Sequence, residues 1–309
     1  RPAGLWTPDY REPMRDTLLW VYEGQDQFWG NVIAARSGLQ KKETILGAIA
    51  QQAGAYAEQP GRGWRSVEDT TYDPVFAARK GKPYATLARG EDYYNEGMLI
   101  WLEADQIIRQ RSGGAKSIDD FAKAFFGIRE GDWGQVTYTF EDVVATLNAV
   151  QPYDWTGFLD QRINRPNQPP PLKGIEMGGY RLVWKDTPNP YTAGVMANDK
   201  SLSLTHSLGI GLDKDGKVTS TQWNGPAFNA GIVNGAKIVA VNGETYSADR
   251  LKAAIAAKQP IALIVQRGER MLTVPIDYKG GLRWPWLEKV GSGEGGLDKL
   301  FAPKVTRAN

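Results

Sequence analysis

The sequence has no cysteine and a single histidine, His206, among its 309 residues. Without thiols there is no disulfide framework, no thiolate nucleophile and no cysteine-bound zinc or iron, and the redox compartment stays open. One histidine cannot furnish a multi-histidine metal site within one copy of the chain. A Ser-His-Asp arrangement would have to use His206. No apolar run approaches the ~20 residues that a bilayer span needs, so no transmembrane segment is expected. No basic-then-apolar leader opens the chain. The first residues, Arg1-Pro2-Ala3-Gly4, include no Met, so the natural start is expected upstream or to have been removed. A strong charge of one sign is also lacking: the formal charge is +2, and scattered Lys and Arg give no electrostatic reason to expect nucleic acid. The densest basic group, Arg109, Arg111 and Lys116, falls at an expected helix end, where cations oppose the macrodipole.

What is present is ordinary for globular chains: 41% hydrophobic and 23% charged residues, at a length that suits two domains with their own cores. From Thr17 to Arg36, Leu18, Leu19, Tyr22, Trp29, Val32 and Ile33 recur at helical spacing, and Gly38 follows as a stop. A second helix is expected from Thr44 to Ala57. Ser66-Val67-Glu68-Asp69 has the form of a capping box. A long helix from Tyr94 to Arg111 ends at Ser112-Gly113-Gly114. Ser117 and Thr139 open two shorter ones, so residues 1–164 read as helix and loop.

The stretch RPNQPPP, Arg165 to Pro171, has four prolines in seven residues. It predicts an extended connector, with residues 165–200 joining two domains. Beyond it the apolar period shortens toward two. Gly179 to Trp184 alternates as a strand, Asp213 to Gly216 is a turn, and short apolar runs at 238–241, 261–265 and 271–274 flank a helix at Ala248 to Ala257. A small β-rich domain over 201–280 and a tail over 281–309 are expected.

Three features of that domain come in order: Ser207-Leu208-Gly209-Ile210-Gly211-Leu212, then Gly225-Pro226-Ala227-Phe228-Asn229-Ala230-Gly231, then Ile238-Val239-Ala240-Val241-Asn242-Gly243. This order resembles the PDZ family. The resemblance implies a groove in which an extended peptide or protein C-terminus adds a strand and its carboxylate meets backbone N–H groups. Ser207, Leu208, Gly209 and Ile210 match the carboxylate loop, and Ile210 and Leu212 match a wall of the side-chain pocket. Ile210 replaces the usual aromatic, and Ala236-Lys237 stands where an aspartate is usual. Taken alone, Leu208-Gly209-Ile210 reads as a bulge or strand start; the order of the three features reverses that reading. His206 reads as a surface residue at a strand end, and the whole domain as either a receptor or an intramolecular packing element.

The first half carries a second pattern: Arg1-Pro2, Leu5-Trp6, Pro8-Asp9-Tyr10 and Leu18-Leu19-Trp20-Val21-Tyr22-Glu23-Gly24, then Tyr93-Tyr94-Asn95-Glu96-Gly97 and Ile107 to Asp120. Together these resemble the glycyl aminopeptidase family of gluzincin zinc peptidases. The resemblance implies a multi-domain α + β protein. A mainly helical, thermolysin-like C-terminal catalytic subdomain would be followed by the PDZ domain. Glu23 matches the third zinc ligand and Tyr94 the donor to the oxyanion, while Tyr93 reads as packing. The family's HExxH is absent, so two ligands and the general base would lie upstream of Arg1. Zinc is expected in the intact parent and not in this chain, which would be inactive alone; peptides are the implied substrates. Gly24-Gln25-Asp26-Gln27-Phe28-Trp29 departs from the family's GxTxYY. Two other classes stay open: a non-catalytic peptide-binding adaptor on a retired peptidase scaffold, in which Glu23 meets solvent or an ordinary cation, and a carbohydrate binder using the 11 Trp and 13 Tyr. The compartment stays open, with a lean toward the bacterial periplasm.

Overall fold

A computed structural model describes residues 1–77 and 86–305. Helices come first: α1 (Leu19–Arg36), α2 (Lys42–Ala57), α3 (Val67–Thr71), α4 (Asp73–Ala77) and α5 (Asn95–Arg111). Then follow α6 (Ile118–Phe126), α7 (Phe140–Val150) and α8 (Trp155–Ile163). Ser66, Ser117 and Thr139 each close a capping box with the Asp three residues on, so the expected starts of α3, α6 and α7 hold. The basic group also has local partners: Arg109 pairs with Asp105, Arg111 lies over the Tyr153 ring, and Lys116 donates to the Val150 carbonyl.

Two helices decide the shape of this half. Every residue of α5 from Glu96 to Ile108 is buried, which marks it as the central helix, apolar contacts on all sides. On α1 the buried face runs through Trp20, Val21, Gly24, Phe28, Val32 and Ala35. The expected stripe is therefore rotated: Tyr22 and Ile33 are exposed, because Gly24, not a large side chain, marks where α5 comes closest. That rotation turns Tyr22, Glu23 and Asp26 away from the core.

The proline-rich stretch is no free connector. The Asn167 amide donates to the Arg62 carbonyl at 2.7 Å, and Arg62 donates to the Pro169 carbonyl at 3.0 Å. After it, α9 (Lys173–Met177) lies so close to α5 that a Cβ on Gly174 would come within 2.6 Å of the Glu103 nitrogen. Strand β1 (Tyr180–Lys185) follows, and then α10 (Pro190–Asp199), capped by Asn189, whose side chain accepts from the Thr192 amide.

The β-rich unit has its own core, including Leu204, Leu208, Ile210, Leu212, Ile238, Leu251, Ile255 and Leu263. Strands β2 (Leu202–Leu204), β3 (Ile210–Leu212) and β4 (Val218–Thr221) form one antiparallel sheet in that order. Helix α11 (Pro226–Asn229) leads to β5 (Lys237–Val241) and β6 (Glu244–Thr245), joined through Asn242 and Gly243, both at positive φ as a tight hairpin requires. Helix α12 (Ala248–Ala256) precedes β7 (Ile261–Arg267) and β8 (Arg270–Ile276), and the second sheet runs β6-β5-β7-β8.

Within the expected tail of 281–309, the described residues 281–305 instead carry the chain back into the helical unit. β9 (Trp284–Lys289) pairs antiparallel with β1, Tyr180 opposite Lys289. α13 (Gly296–Leu300) brings Leu297, Leu300 and Phe301 into the first core, which also holds Tyr180 and Leu287. Asp298 fastens the return, accepting from the Tyr180 hydroxyl at 2.6 Å and pairing with Lys42 at 2.9 Å and Lys289 at 2.7 Å. These apolar side chains find burial only against the helices, so the β-rich unit is an insertion between β1 and β9. Among the described residues no helix is long and apolar enough to cross a membrane.

Candidate active site

The two Glu-Gly pairs of the sequence meet in space. A Cβ on Gly24 would stand 3.0 Å from the Gly97 Cα, and one on Gly97 would stand 2.9 Å from the Gly24 Cα. Only glycine at both positions lets α1 and α5 cross backbone to backbone. The crossing sets Glu23, one residue before Gly24, beside Tyr94, which opens α5 three residues before Gly97. The Tyr94 phenol adjoins the Glu23 carboxylate, and each group perturbs the other's proton affinity. Both side chains are half-buried and reach solvent, Tyr94 while also packing against the core. Tyr93 is buried and its ring packs 4.7 Å from that of Tyr94, so Tyr93 is a packing residue.

Burial pushes the Glu23 carboxyl above its ordinary pKa; the Tyr94 hydrogen bond draws it partway back, and the neighbouring Asp26 charge pushes it up again. Burial, with the charge of Glu23 behind it, also raises the Tyr94 phenol, which therefore keeps its proton at neutral pH and acts as a donor.

Behind Tyr94 lies a charge cluster that sequence reasoning missed. Glu96 is 1% exposed and receives both Arg62, at 2.5 Å, and Arg89. Arg89 also holds Asp92 at 2.8 Å, and Arg65 donates to the Arg89 carbonyl at 2.5 Å. Burial drives the Asp92 carboxyl up to about 6, against the pull of Arg89. The cluster fixes both ends of the turn that delivers Tyr94: Asp92 lies two residues before it and Glu96 two after. The available signal was Glu96 itself, an acid on the first turn just before the apolar run Met98–Leu102. Buried and doubly paired, it cannot be a solvated filler.

Among the described residues no three His, Cys, Asp or Glu side chains gather as a metal-binding group. One half-buried carboxylate matches one position of a four-coordinate zinc site and leaves the others unfilled. The donors among the described residues do not make a zinc site by themselves.

The structure corrects the expected carboxylate loop. Leu208, Ile210 and Leu212 are wholly or almost wholly buried, and Ser207 is 3% exposed. The Gly209 amide, at positive φ, donates to the Leu204 carbonyl at 3.0 Å, and so does the Ser207 amide. The Ser207 hydroxyl accepts from the Arg283 amide at 3.0 Å. β3 lies between β2 and β4, so the edge expected to receive a peptide is already paired. His206 is likewise no surface residue. It is 9% exposed, with Nδ1 2.8 Å from Glu58 Oε2 and its ring 4.6 Å from that of Trp184. The His206 result comes from a segment remote in sequence, Glu58 on the helical unit, whereas the loop is closed chiefly by its near neighbours Leu202–Leu204, with Arg283 beside β9 adding one contact.

Residues 1–100, which contain the Glu23–Tyr94 crossing and the Arg89 cluster, match the M61 glycyl aminopeptidase family. The resemblance to the glycyl aminopeptidase family read from the sequence is borne out over these residues. No curated protein matches the sequence. Among solved structures, an aminopeptidase N family protein from Idiomarina loihiensis has the same fold at a TM-score of 0.71 and 15% identity. The likeness covers 98% of this chain and 51% of that one, so the chain spans about half the length of that aminopeptidase-family structure. It extends through the helical unit and the β-rich insertion alike, which makes the insertion part of the shared architecture.

Proposed function

We propose that this chain is the C-terminal part of a zinc aminopeptidase, in which Glu23 is one carboxylate ligand of the metal and Tyr94 is the donor to the oxyanion. The substrate is a peptide cleaved at its N-terminus. The observation that carries this reading is the backbone crossing at Gly24 and Gly97, which sets Tyr94 beside the Glu23 carboxylate. The adaptor alternative requires Glu23 to meet solvent or an ordinary cation; a half-buried carboxylate beside a phenol favours the peptidase.

Zinc, when bound, supplies Lewis-acid activation of water and of the scissile carbonyl. Its remaining ligands and the general base come from residues outside this sequence. The chain's own residues do three things. Glu23 presents a carboxylate whose raised pKa reflects a partly desolvated seat. Tyr94 holds a proton at its hydroxyl, ready to point at charge developing on the carbonyl oxygen. Gly24, Gly97 and the Arg62–Glu96–Arg89–Asp92 cluster fix the backbone that carries the two groups, and the single Tyr94 proton would turn from Glu23 to the carbonyl oxygen when Glu23 holds the metal.

The β-rich insertion supports a PDZ-type reading through its order of glycine loop, short helix, Asn-Gly hairpin and α12. Tyr94→Phe in the enzyme carrying this segment tests the proposal. Losing one preorganised oxyanion donor lowers kcat by about 10²–10³, with zinc content and KM little changed. An unaltered kcat refutes the role given to Tyr94.

A further inference from the structure

We propose that the strand-addition edge of the β-rich insertion is filled by the chain's own residues Leu202–Leu204. The insertion is then a self-liganded clamp on the helical unit rather than a receptor for the C-termini of other proteins. This inference rests on the PDZ-type reading of the insertion.

The register carries it. β2 runs antiparallel to β3, with Leu204 opposite Ile210 and Leu202 opposite Leu212. The Ser203 amide faces outward, 3.3 Å from Met196 Sδ, and its carbonyl accepts from the Trp284 indole at 2.9 Å. Successive strand residues alternate in the direction of their peptide groups, so Leu202 and Leu204 aim theirs at β3. Those are the positions an added peptide would take, in the direction it would run. The other side of β3 belongs to β4, with Ile210 opposite Thr221.

The loop is satisfied in the same way. A bound C-terminus would place its carboxylate against the loop amides; here the Ser207 and Gly209 amides both converge on the Leu204 carbonyl, each at 3.0 Å. At that point the chain turns through 205–209 into β3 instead of ending. Leu202 and Leu204, 6% and 0% exposed, occupy apolar seats at alternate positions, as a ligand's side chains would. Trp284, 3% exposed, closes the outer edge of β2.

The filled edge is joined to the helical unit. β2 follows α10, whose cap residue Asn189 sits against Gly47 of α2, and Thr192 donates to Gln51 at 3.0 Å. His206, in the turn between β2 and β3, meets Glu58 just beyond the end of α2, and Arg283 approaches the same carboxylate at 3.6 Å while lying over Trp184. On another side, Thr86 donates to the Thr221 carbonyl at 2.9 Å and accepts from the Trp223 amide at 2.8 Å. That contact ties β4 to the segment leading to Tyr94. Expelling β2 would loosen the seating of the insertion beside the candidate site.

Two measurements on the full chain test this. Hydrogen exchange should show the Ile210 and Leu212 amides, which face β2, as protected as the Gly211 amide, which faces β4. Fluorescent peptides with apolar C-termini should bind Leu204→Pro, whose proline breaks the β2 ladder, at least about tenfold more tightly than the wild type, where β2 must first leave. Fast exchange at Ile210 and Leu212 beside a slow Gly211 overturns the self-occupancy. Wild-type binding as tight as the variant's, with shifts at the Ser207 to Ile210 amides, overturns it too. A folded Leu204→Pro that ignores the peptides, with Ile210 and Leu212 protected, overturns the proposal through the PDZ-type reading on which it rests. If Leu204→Pro does not fold, exchange in the wild type decides alone.

Discussion

Replacing Gly97 with alanine puts the geometry of the candidate site under direct load. The new Cβ would lie 2.9 Å from the Gly24 Cα and 3.2 Å from the Trp20 carbonyl oxygen, both backbone atoms of the facing helix. Carbon atoms rest at about 3.5–4.0 Å, so α1 and α5 must part by roughly 0.5–1 Å. Overpacking of this kind costs about 1–3 kcal/mol, and alanine's helix preference over glycine returns about 1 kcal/mol. Gly30→Ala is the internal control. It lies on α1 with nothing within 4 Å of its Cβ position, so it keeps the ~1 kcal/mol gain and meets no clash. The two variants should therefore differ by about 1–3 kcal/mol in urea unfolding, Gly97→Ala being the weaker. Parting the helices also separates Tyr94 from Glu23, which removes part of what raises the phenol's pKa, so its titration moves down in Gly97→Ala and not in Gly30→Ala. Equal stability of the two variants with unchanged Tyr94 titration would refute the crossing as the device that joins the pair.

Three further outcomes follow from the same site. Glu96→Gln leaves two buried guanidinium groups without their shared charge and should destabilise by about 3 kcal/mol in the same assay; a loss under 1 kcal/mol would mean that the cluster is effectively solvated. Asp92, held up at about 6 by burial, favours the fold when protonated. Its share of stability is fully present below the unfolded value near 4 and is lost as pH rises through 6, ~3 kcal/mol in all. Asp92→Asn, which cannot ionise, should gain on the wild type across that window, and parallel stability curves from pH 4 to 7 would contradict the burial account. Titration calorimetry of this chain with zinc chloride should show no stoichiometric site, since Glu23 stands without the other ligands a closed site needs; one-to-one uptake that disappears in Glu23→Gln would contradict this.

Much of the helical half was legible because its signals are local. Ser66, Ser117 and Thr139 announce helix starts through residues three positions away, and the apolar run of α5 is long enough to leave no doubt of its class. The pairing of Glu23 with Tyr94 was legible only through family resemblance, since no periodicity connects α1 to α5. What escaped was set by distant segments. The face of α1 was misjudged because Tyr22 and Ile33 are apolar by type, yet Gly24, the residue with no side chain to read, fixes which side faces α5. Residues 281–305 look like a tail until Tyr180, Lys42 and Lys289 are seen to share Asp298. The groove of the insertion looked open because a glycine loop before a strand says nothing about which segment pairs with that strand. Leu202-Ser203-Leu204 reads as an unremarkable alternation, and only the three-dimensional register identifies it as the occupant.

The role of Glu23 as metal ligand is tested most directly by zinc content in the intact aminopeptidase that carries this segment, wild type against Glu23→Gln, measured by elemental analysis after dialysis. The account predicts close to one zinc per wild-type chain and a large loss in Glu23→Gln, with Tyr94→Phe retaining its metal. Full zinc occupancy in Glu23→Gln, with peptide hydrolysis intact, would contradict it.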